Sequence, residues 1–177
     1  MDHTEIKRRQ ILAAFGNAQR ADRRVGLNCG QVMTVSPSCV RLETPAIELV
    51  RLFHAKQFRH LLVTDEVERL VGVISDRDVI QYLGPARHPD SSVLSDITAE
   101  KIMSTDLVTV EPGTPLERGV AIMLDYGISC LPVLADKILV GILTNTDLHI
   151  ALDVLLQTLR HSLPGESGAA TTANLHN

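Results

Sequence analysis

The chain has 177 residues, 45% of them hydrophobic, enough for one domain or two small ones with a proper core. A net charge of −4, an aromatic content of 3% and no tryptophan argue against a nucleic-acid-attracting field and against single-strand stacking platforms. The three cysteines (Cys29, Cys39, Cys130) lack C-x-x-C spacing, and no apolar run approaches the ~20 residues of a membrane span, so the expected setting is the cytoplasm, with no disulfide framework, zinc site, secretory signal core or membrane contact.

Residues 1–27 read as an N-terminal arm whose first 24 positions form a short amphipathic helix. Asp2 and Glu5 have capping-box spacing, and Ile11, Leu12, Ala14, Phe15 and Ala18 make an apolar stripe. Lys7, Arg8, Arg9, Arg20, Arg23 and Arg24 make the arm basic. Such a cluster can serve as an arm for nucleic acid or a partner, but a solvated face of a helix packed on the core or across a dimer is the simpler reading.

A first unit is expected over 28–84. Cys39-Val40-Arg41-Leu42 is a short strand, and Thr44 and Pro45 are expected to cap and open a helix carrying Ala46, Leu49, Val50, Leu52 and Phe53, with His54 on its exposed side. His60–Thr64 and Leu70–Ile74 read as strands of a hairpin turning at Asp65–Arg69, followed by a helix over Asp76–Leu83. The order is β-α-β-β-α. Residues 85–97, rich in turn formers, read as a linker in which His88 has no role.

A second unit over 98–160 repeats the first: a strand at Val108-Thr109-Val110, a helix opened by Thr114-Pro115 and ended at Gly127, a hairpin of Cys130–Leu134 and Ile138–Leu143, and a longer helix to about His161. Residues 161–177 hold too little apolar content to fold and are expected to be disordered. Displaced by seventy, Val32-Met33-Thr34 lies over Ile102-Met103-Ser104, Thr44-Pro45 over Thr114-Pro115, and Leu61 and Val63 over Leu131 and Val133. At sixty-nine, Leu70-Val71-Gly72 meets Leu139-Val140-Gly141 and Asp78 meets Asp147. Two copies predict a pseudo-symmetric α/β (α+β) pair sharing a core, rather than a solenoid.

Each copy contains a strand that ends in a hydroxyl residue and runs into a helix bearing an aspartate: Gly72-Val73-Ile74-Ser75-Asp76-Arg77-Asp78 and Gly141-Ile142-Leu143-Thr144-Asn145-Thr146-Asp147. Such a junction presents backbone N–H groups and a hydroxyl to an anion, and the aspartate, one turn on, can accept hydrogen bonds from a ribose diol. An ordinary helix cap accounts for one copy about equally well; the duplication favours a binding role.

These segments, with Met33-Thr34 and Met103-Ser104 opening each unit and Ile128-Ser129-Cys130-Leu131-Pro132-Val133 in the second, resemble a tandem of CBS domains (the cystathionine β-synthase module, paired as a Bateman module). The resemblance covers about residues 28–158 and departs from the family pattern at Leu62, which stands where Pro132 stands in the second unit. It implies two units packed through their small sheets and a regulatory module that binds adenosine-bearing ligands (AMP, ADP, ATP, S-adenosylmethionine, sometimes NAD) in two clefts between them. Carried over, one cleft combines Thr144 and Asp147 with Thr34, Cys39, Phe58, Arg59 and His60; the other combines Ser75 and Asp78 with Ser104, Thr109, Ile128, Ser129 and Cys130. Arg59 and His60 would favour phosphorylated ligands in the first cleft, whereas the second, reached at most by Arg77, would be empty or take a less charged ligand.

The sequence contains no nucleophile–base pairing, metal-ligand cluster, Gly-x-Gly-x-x-Gly or phosphate-loop lysine motif, so no catalytic residue is expected. Asp76 and Asp78 are two apart at a helix start and do not face each other. The leading reading is a nucleotide sensor acting through an effector protein, with a homodimer expected from the family resemblance and the apolar helix faces. The alternatives are a dimerisation module with vestigial clefts and a nucleic-acid binder using the basic arm.

Overall fold

The computed structural model describes residues 3–20, 26–56, 58–83 and 91–162. The expectations for Asp2, the linker residue His88 and the tail from 163 onward lie outside the described residues.

Two three-stranded sheets form the centre; the first is built from the first unit alone, and the second takes one strand from it. In the first, β2 (Cys39–Arg41) runs parallel to β3 (His60–Thr64), which pairs antiparallel with β4 (Leu70–Ser75). In the second, β5 (Cys130–Ala135) and β6 (Ile138–Thr144) form the hairpin, and the third strand is β1 (Thr34–Val35), which comes from the start of the first unit and sets Thr34 opposite Ile142. The exchange is mutual: Ser104, the counterpart of Thr34, bridges to Val73 in β4. The expected strand at Val108–Val110 is reduced to a single parallel bridge between Val110 and Val133.

The short helices that open each unit follow the same exchange. A helix α1 (His3–Arg20) and the turn of helix α2 (Cys29–Val32) bury Ile11, Leu27, Cys29, Val32 and Met33 in one core with Leu131, Val133, Leu143 and Val154 of the second unit. Reciprocally, α5 (Ser91–Asp96) and α6 (Ala99–Ile102) bury Leu94, Ala99 and Ile102 among Leu49, Leu61, Val63 and Ile74 of the first. Part of the expected linker is therefore a helix, because Leu94 has a core to enter. Leu62, Cys130 and Ile142, with Leu70, Val73 and Leu139 beside them, form the apolar seam between the two sheets.

Glycine and methionine make the exchange possible. Each opening methionine lies flat on the glycine of the other unit's strand: a Cβ on Gly72 would stand 2.3 Å from the Met103 sulfur, and one on Gly141 2.4 Å from the Met33 sulfur. The remaining helices are α3 (Ala46–Lys56), α4 (Asp76–Leu83), α7 (Leu116–Tyr126) and α8 (Asn145–Ser162). Gly127 ends α7 in the left-handed conformation, φ 63°.

Thr44 and Thr114 do not cap their helices as expected. Thr44 Oγ1 accepts from the Arg41 N–H at 3.0 Å and Thr114 Oγ1 from the Glu111 N–H at 3.1 Å, so each hydroxyl closes the turn before the helix. Prolines 45 and 115 then stand at the helix entrance, where a missing N–H costs nothing.

Candidate functional site

The two strand-to-helix junctions are built alike. β4 ends at Ser75 as α4 begins, and the Asp78 carboxylate folds back: its Oδ2 accepts from the Ser75 N–H at 2.6 Å and the Ser75 hydroxyl at 2.7 Å. β6 ends at Thr144 as α8 begins, and Asp147 Oδ2 accepts from the Thr144 N–H at 2.7 Å and its hydroxyl at 2.8 Å. In each, the aspartate N–H points back to the hydroxyl oxygen, at 3.2 Å for Asp78 and 3.4 Å for Asp147, so both segments are reciprocal helix caps. The cap uses one carboxylate oxygen. The other is left to further partners.

At Asp147 that oxygen is already taken. Oδ1 accepts from the Thr34 hydroxyl at 3.1 Å and from the Lys7 ammonium of α1, which also donates to Thr34 Oγ1 at 2.6 Å. Lys7 is 4% exposed and Asp147 2%. Burial pulls the Lys7 pKa below the ordinary 10.5, and the Asp147 carboxylate works against that fall. A second contact, Arg8 Nη2 to Asp153 Oδ2 at 2.6 Å, ties α1 to α8 nearer the surface. The basic face of α1 is thus not uniformly solvated: Lys7 points inward. Its position gave the signal, because residues 7, 11, 14 and 15 fall on one helical stripe, and a lysine there needs a buried acid.

At Asp78 the second oxygen is open. Asp78 is half-buried, and its Oδ1 has no hydrogen-bond partner among the described residues. The wall opposite comes from the second unit. Burial first, and then the charge of Asp78, push the Cys130 thiol pKa up to about 12. Beside it His60 Nε2 and Ser129 Oγ are 2.8 Å apart. Burial, with Arg59 adding to it, holds the imidazole below its ordinary 6.5, hence neutral at pH 7.

The remaining expected residues divide as follows. Thr34 does meet Thr144 and Asp147, carried there by the β1–β6 pairing. Arg59 and His60 do not supply that cleft with charge. His60 stands opposite Ser75 in the β3–β4 ladder, and the Arg59 guanidinium lies 3.7 Å from Asp76 Oδ2, so both attach to the Ser75 side. Phe58 turns into the first core, edge-on to Phe53 with ring centroids 6.1 Å apart. Arg77 is exposed at the start of α4, and Ser104 is exposed beside Val73. Ile128 packs on the second core.

Cys39 and Thr109 line two open depressions of about 290 and 640 Å³ near the hairpin turns, neither of which includes Ser75, Asp78, Thr144 or Asp147. Among the described residues no group of three or more His, Cys, Asp or Glu side chains could hold a metal, and no helix is long and apolar enough to cross a membrane.

A family model for the CBS domain matches residues 29–85 and 96–153, well over half of the chain. An uncharacterized protein of Methanopyrus kandleri is 29% identical over 134 residues, 75% of this chain and 63% of that one. The chain thus spans less than two thirds of that relative and only 23% of an inosine-5'-monophosphate dehydrogenase from Nitrosopumilus maritimus that it also matches. Among solved structures, the acetoin utilization protein AcuB from Vibrio cholerae superposes with a TM-score of 0.67 at 27% identity, covering 79% of this chain and 100% of that one. CBSX2, crystallised in complex with AMP, superposes with a TM-score of 0.62 at 25% identity, covering 75% of this chain and 98% of its own.

Proposed function

The chain belongs to the CBS-domain family, and from that premise we propose that it is a regulatory sensor that takes an adenosine-bearing nucleotide in the Ser75/Asp78 cleft. The carrying observation is that Asp78 Oδ2 is held by the Ser75 cap while Oδ1 has no hydrogen-bond partner among the described residues. A ribose diol is its natural donor. The N–H groups that open α4, with Arg59 beside Asp76 and Arg77 on the helix itself, suit a phosphate; the carbon walls of the β4–Ser104 bridge and Cys130 suit a flat base. AMP is the first ligand to try, because CBSX2, a structural relative, was crystallised with it. No catalysis is proposed. Ligand binding acts by biasing the packing of the two units or their contacts with an effector, which fits cytoplasmic regulation.

Calorimetric titration with AMP, after removal of any co-purified nucleotide, tests this. Saturable binding lost in Asp78→Ala is the expected result. Binding unaffected by that substitution sinks the assignment of the cleft, and no binding of AMP, ADP, ATP, S-adenosylmethionine or NAD sinks the sensor.

A second, compatible reading is favoured by exposed apolar side chains. Leu124 is 76% exposed on α7 and Ile80 68% on α4, and Leu152, Leu156 and Leu159 stand out on one stretch of α8. Apolar surface of this kind is expected to be covered in a homodimer. Sedimentation should report a dimer for the native chain and a monomer for Leu156→Glu; a monomeric native chain at micromolar concentration removes this reading.

A further inference from the structure

The Thr144/Asp147 cleft has the same cap and the same strand-to-helix junction as its partner, yet no side of its aspartate is free. Four protein groups converge on the Asp147 carboxylate: the Thr144 N–H and hydroxyl on Oδ2, the Thr34 hydroxyl and the Lys7 ammonium on Oδ1. Lys7 stands where the hydroxyls of a ribose would have to donate. It is not a surface lysine that drifts into the cleft, because the helix carrying it buries Ile11 completely and packs Ala14 and Phe15 on the same core. Arg8 reinforces the seat through Asp153 on α8.

We propose that α1 is an intramolecular competitor for the Thr144/Asp147 cleft: the Lys7 ammonium substitutes for a ligand's donors, and a nucleotide enters there only when α1 leaves. In the resting chain adenosine sensing is then confined to the Ser75/Asp78 cleft, a division that rests on the function proposed above. The occlusion itself does not.

Two consequences are chemical. A ligand in the closed cleft must supply donors to Asp147 strong enough to offset the loss of the Lys7 cation, since a buried carboxylate without partners is costly. Its arrival also frees a basic helix segment, including Lys7, Arg8 and Arg9, and uncovers Ile11. Ligand occupancy of this cleft and docking of α1 are therefore mutually exclusive states, and any ligand that binds only the open state shifts the equilibrium by its affinity for it.

The first test uses the unaltered full chain and no nucleotide. Amine acetylation followed residue by residue by mass spectrometry should modify Lys7 at least about tenfold more slowly than the exposed Lys101 and Lys137, because Lys7 reacts only after local opening. Equal rates overturn the occlusion. The second test is titration with AMP. The native chain should bind one AMP per chain, and full-length Lys7→Met a second, which disappears on adding Asp147→Ala.

Two AMP molecules of equal affinity on the native chain, or no gain in affinity at the second cleft in Lys7→Met, overturn the competition. If the native chain binds none while Lys7→Met binds one that depends on Asp147, the Asp78 assignment fails and the competition stands. Should Lys7→Met fold poorly, the same question is answered on the native chain at millimolar AMP. Faster acetylation of Lys7, with Lys101 unchanged, supports displacement; an unchanged Lys7 rate under AMP binding stoichiometry of two excludes it.

Discussion

Asp78 and Asp147 hold equivalent places in the two units, carry matching caps with carboxylate distances of 2.6 to 2.8 Å, and meet opposite fates. Asp147 is buried under Lys7, while Asp78 keeps an unpartnered oxygen among the described residues. The segment that precedes each unit makes the difference. The 18-residue α1 reaches the junction of the unit it packs on, whereas its counterpart α5 has six residues and places no cation on Asp78. A duplicated motif therefore does not imply a duplicated site. The cap is shared, but the access to it is decided by sequence outside the repeat.

The comparison is broken most forcefully by removing the ion pair. Lys7→Met leaves the Asp147 charge buried without a partner and is expected to lower stability by about 3–5 kcal/mol in urea unfolding. Pairing it with Asp147→Asn should recover most of that loss, since the two neutral side chains keep the volume and the Thr144 cap. Asp78→Asn, where no cation is lost, should cost under about 1 kcal/mol in the same experiment. Similar losses at the two aspartates would mean that Lys7 contributes nothing special.

A smaller asymmetry lies one turn earlier. The three atoms nearest a methyl on Gly72 all belong to the Met103 side chain, which can swing away, but a methyl on Gly141 also meets the Thr34 carbonyl oxygen at 2.9 Å. Gly141→Ala should therefore cost about 1–3 kcal/mol and Gly72→Ala distinctly less, measured by thermal unfolding. The reverse order would show that the β1–β6 contact is looser than described.

The smallest effect is in pH. His60 titrates below its ordinary 6.5 when folded, so above that value both states are neutral and the residue contributes no pH dependence. As pH falls below 6.5 the unfolded chain takes up the proton first, and stability drops towards pH 5. Ser129, its counterpart, cannot titrate there. His60→Gln should flatten the decline between pH 7 and pH 5 seen by urea midpoints, and an unchanged decline would assign it to other groups.

Much of this was legible in the chain. The duplication, the β-α-β-β-α order of the first unit and the Ser/Thr-x-x-Asp caps follow from periodicity and spacing, because those interactions are local. The methionine of Met33-Thr34 and the glycine of Gly141 were both visible, but not that each needs the other across the molecule. The pairing of a two-residue strand leaves no periodic trace. The family resemblance sets Arg59 with Thr144 and Asp147, but Asp76, absent from the second unit where Asn145 stands, holds it on the Ser75 side. Lys7 was counted among surface charges because a basic run is usually solvated. Its place on the apolar stripe was the overlooked sign.

The exchange of opening segments has one further consequence. The elements α1, α2 and β1 precede the first unit's own sheet in sequence but pack on the second unit. A pull, a bound protein or a chemical modification on α1 is therefore transmitted to α8 and β6 before it reaches the strand that follows it in sequence. Whatever takes hold of α1 therefore acts directly on the cleft that its own Lys7 closes, through residues that belong to the other unit.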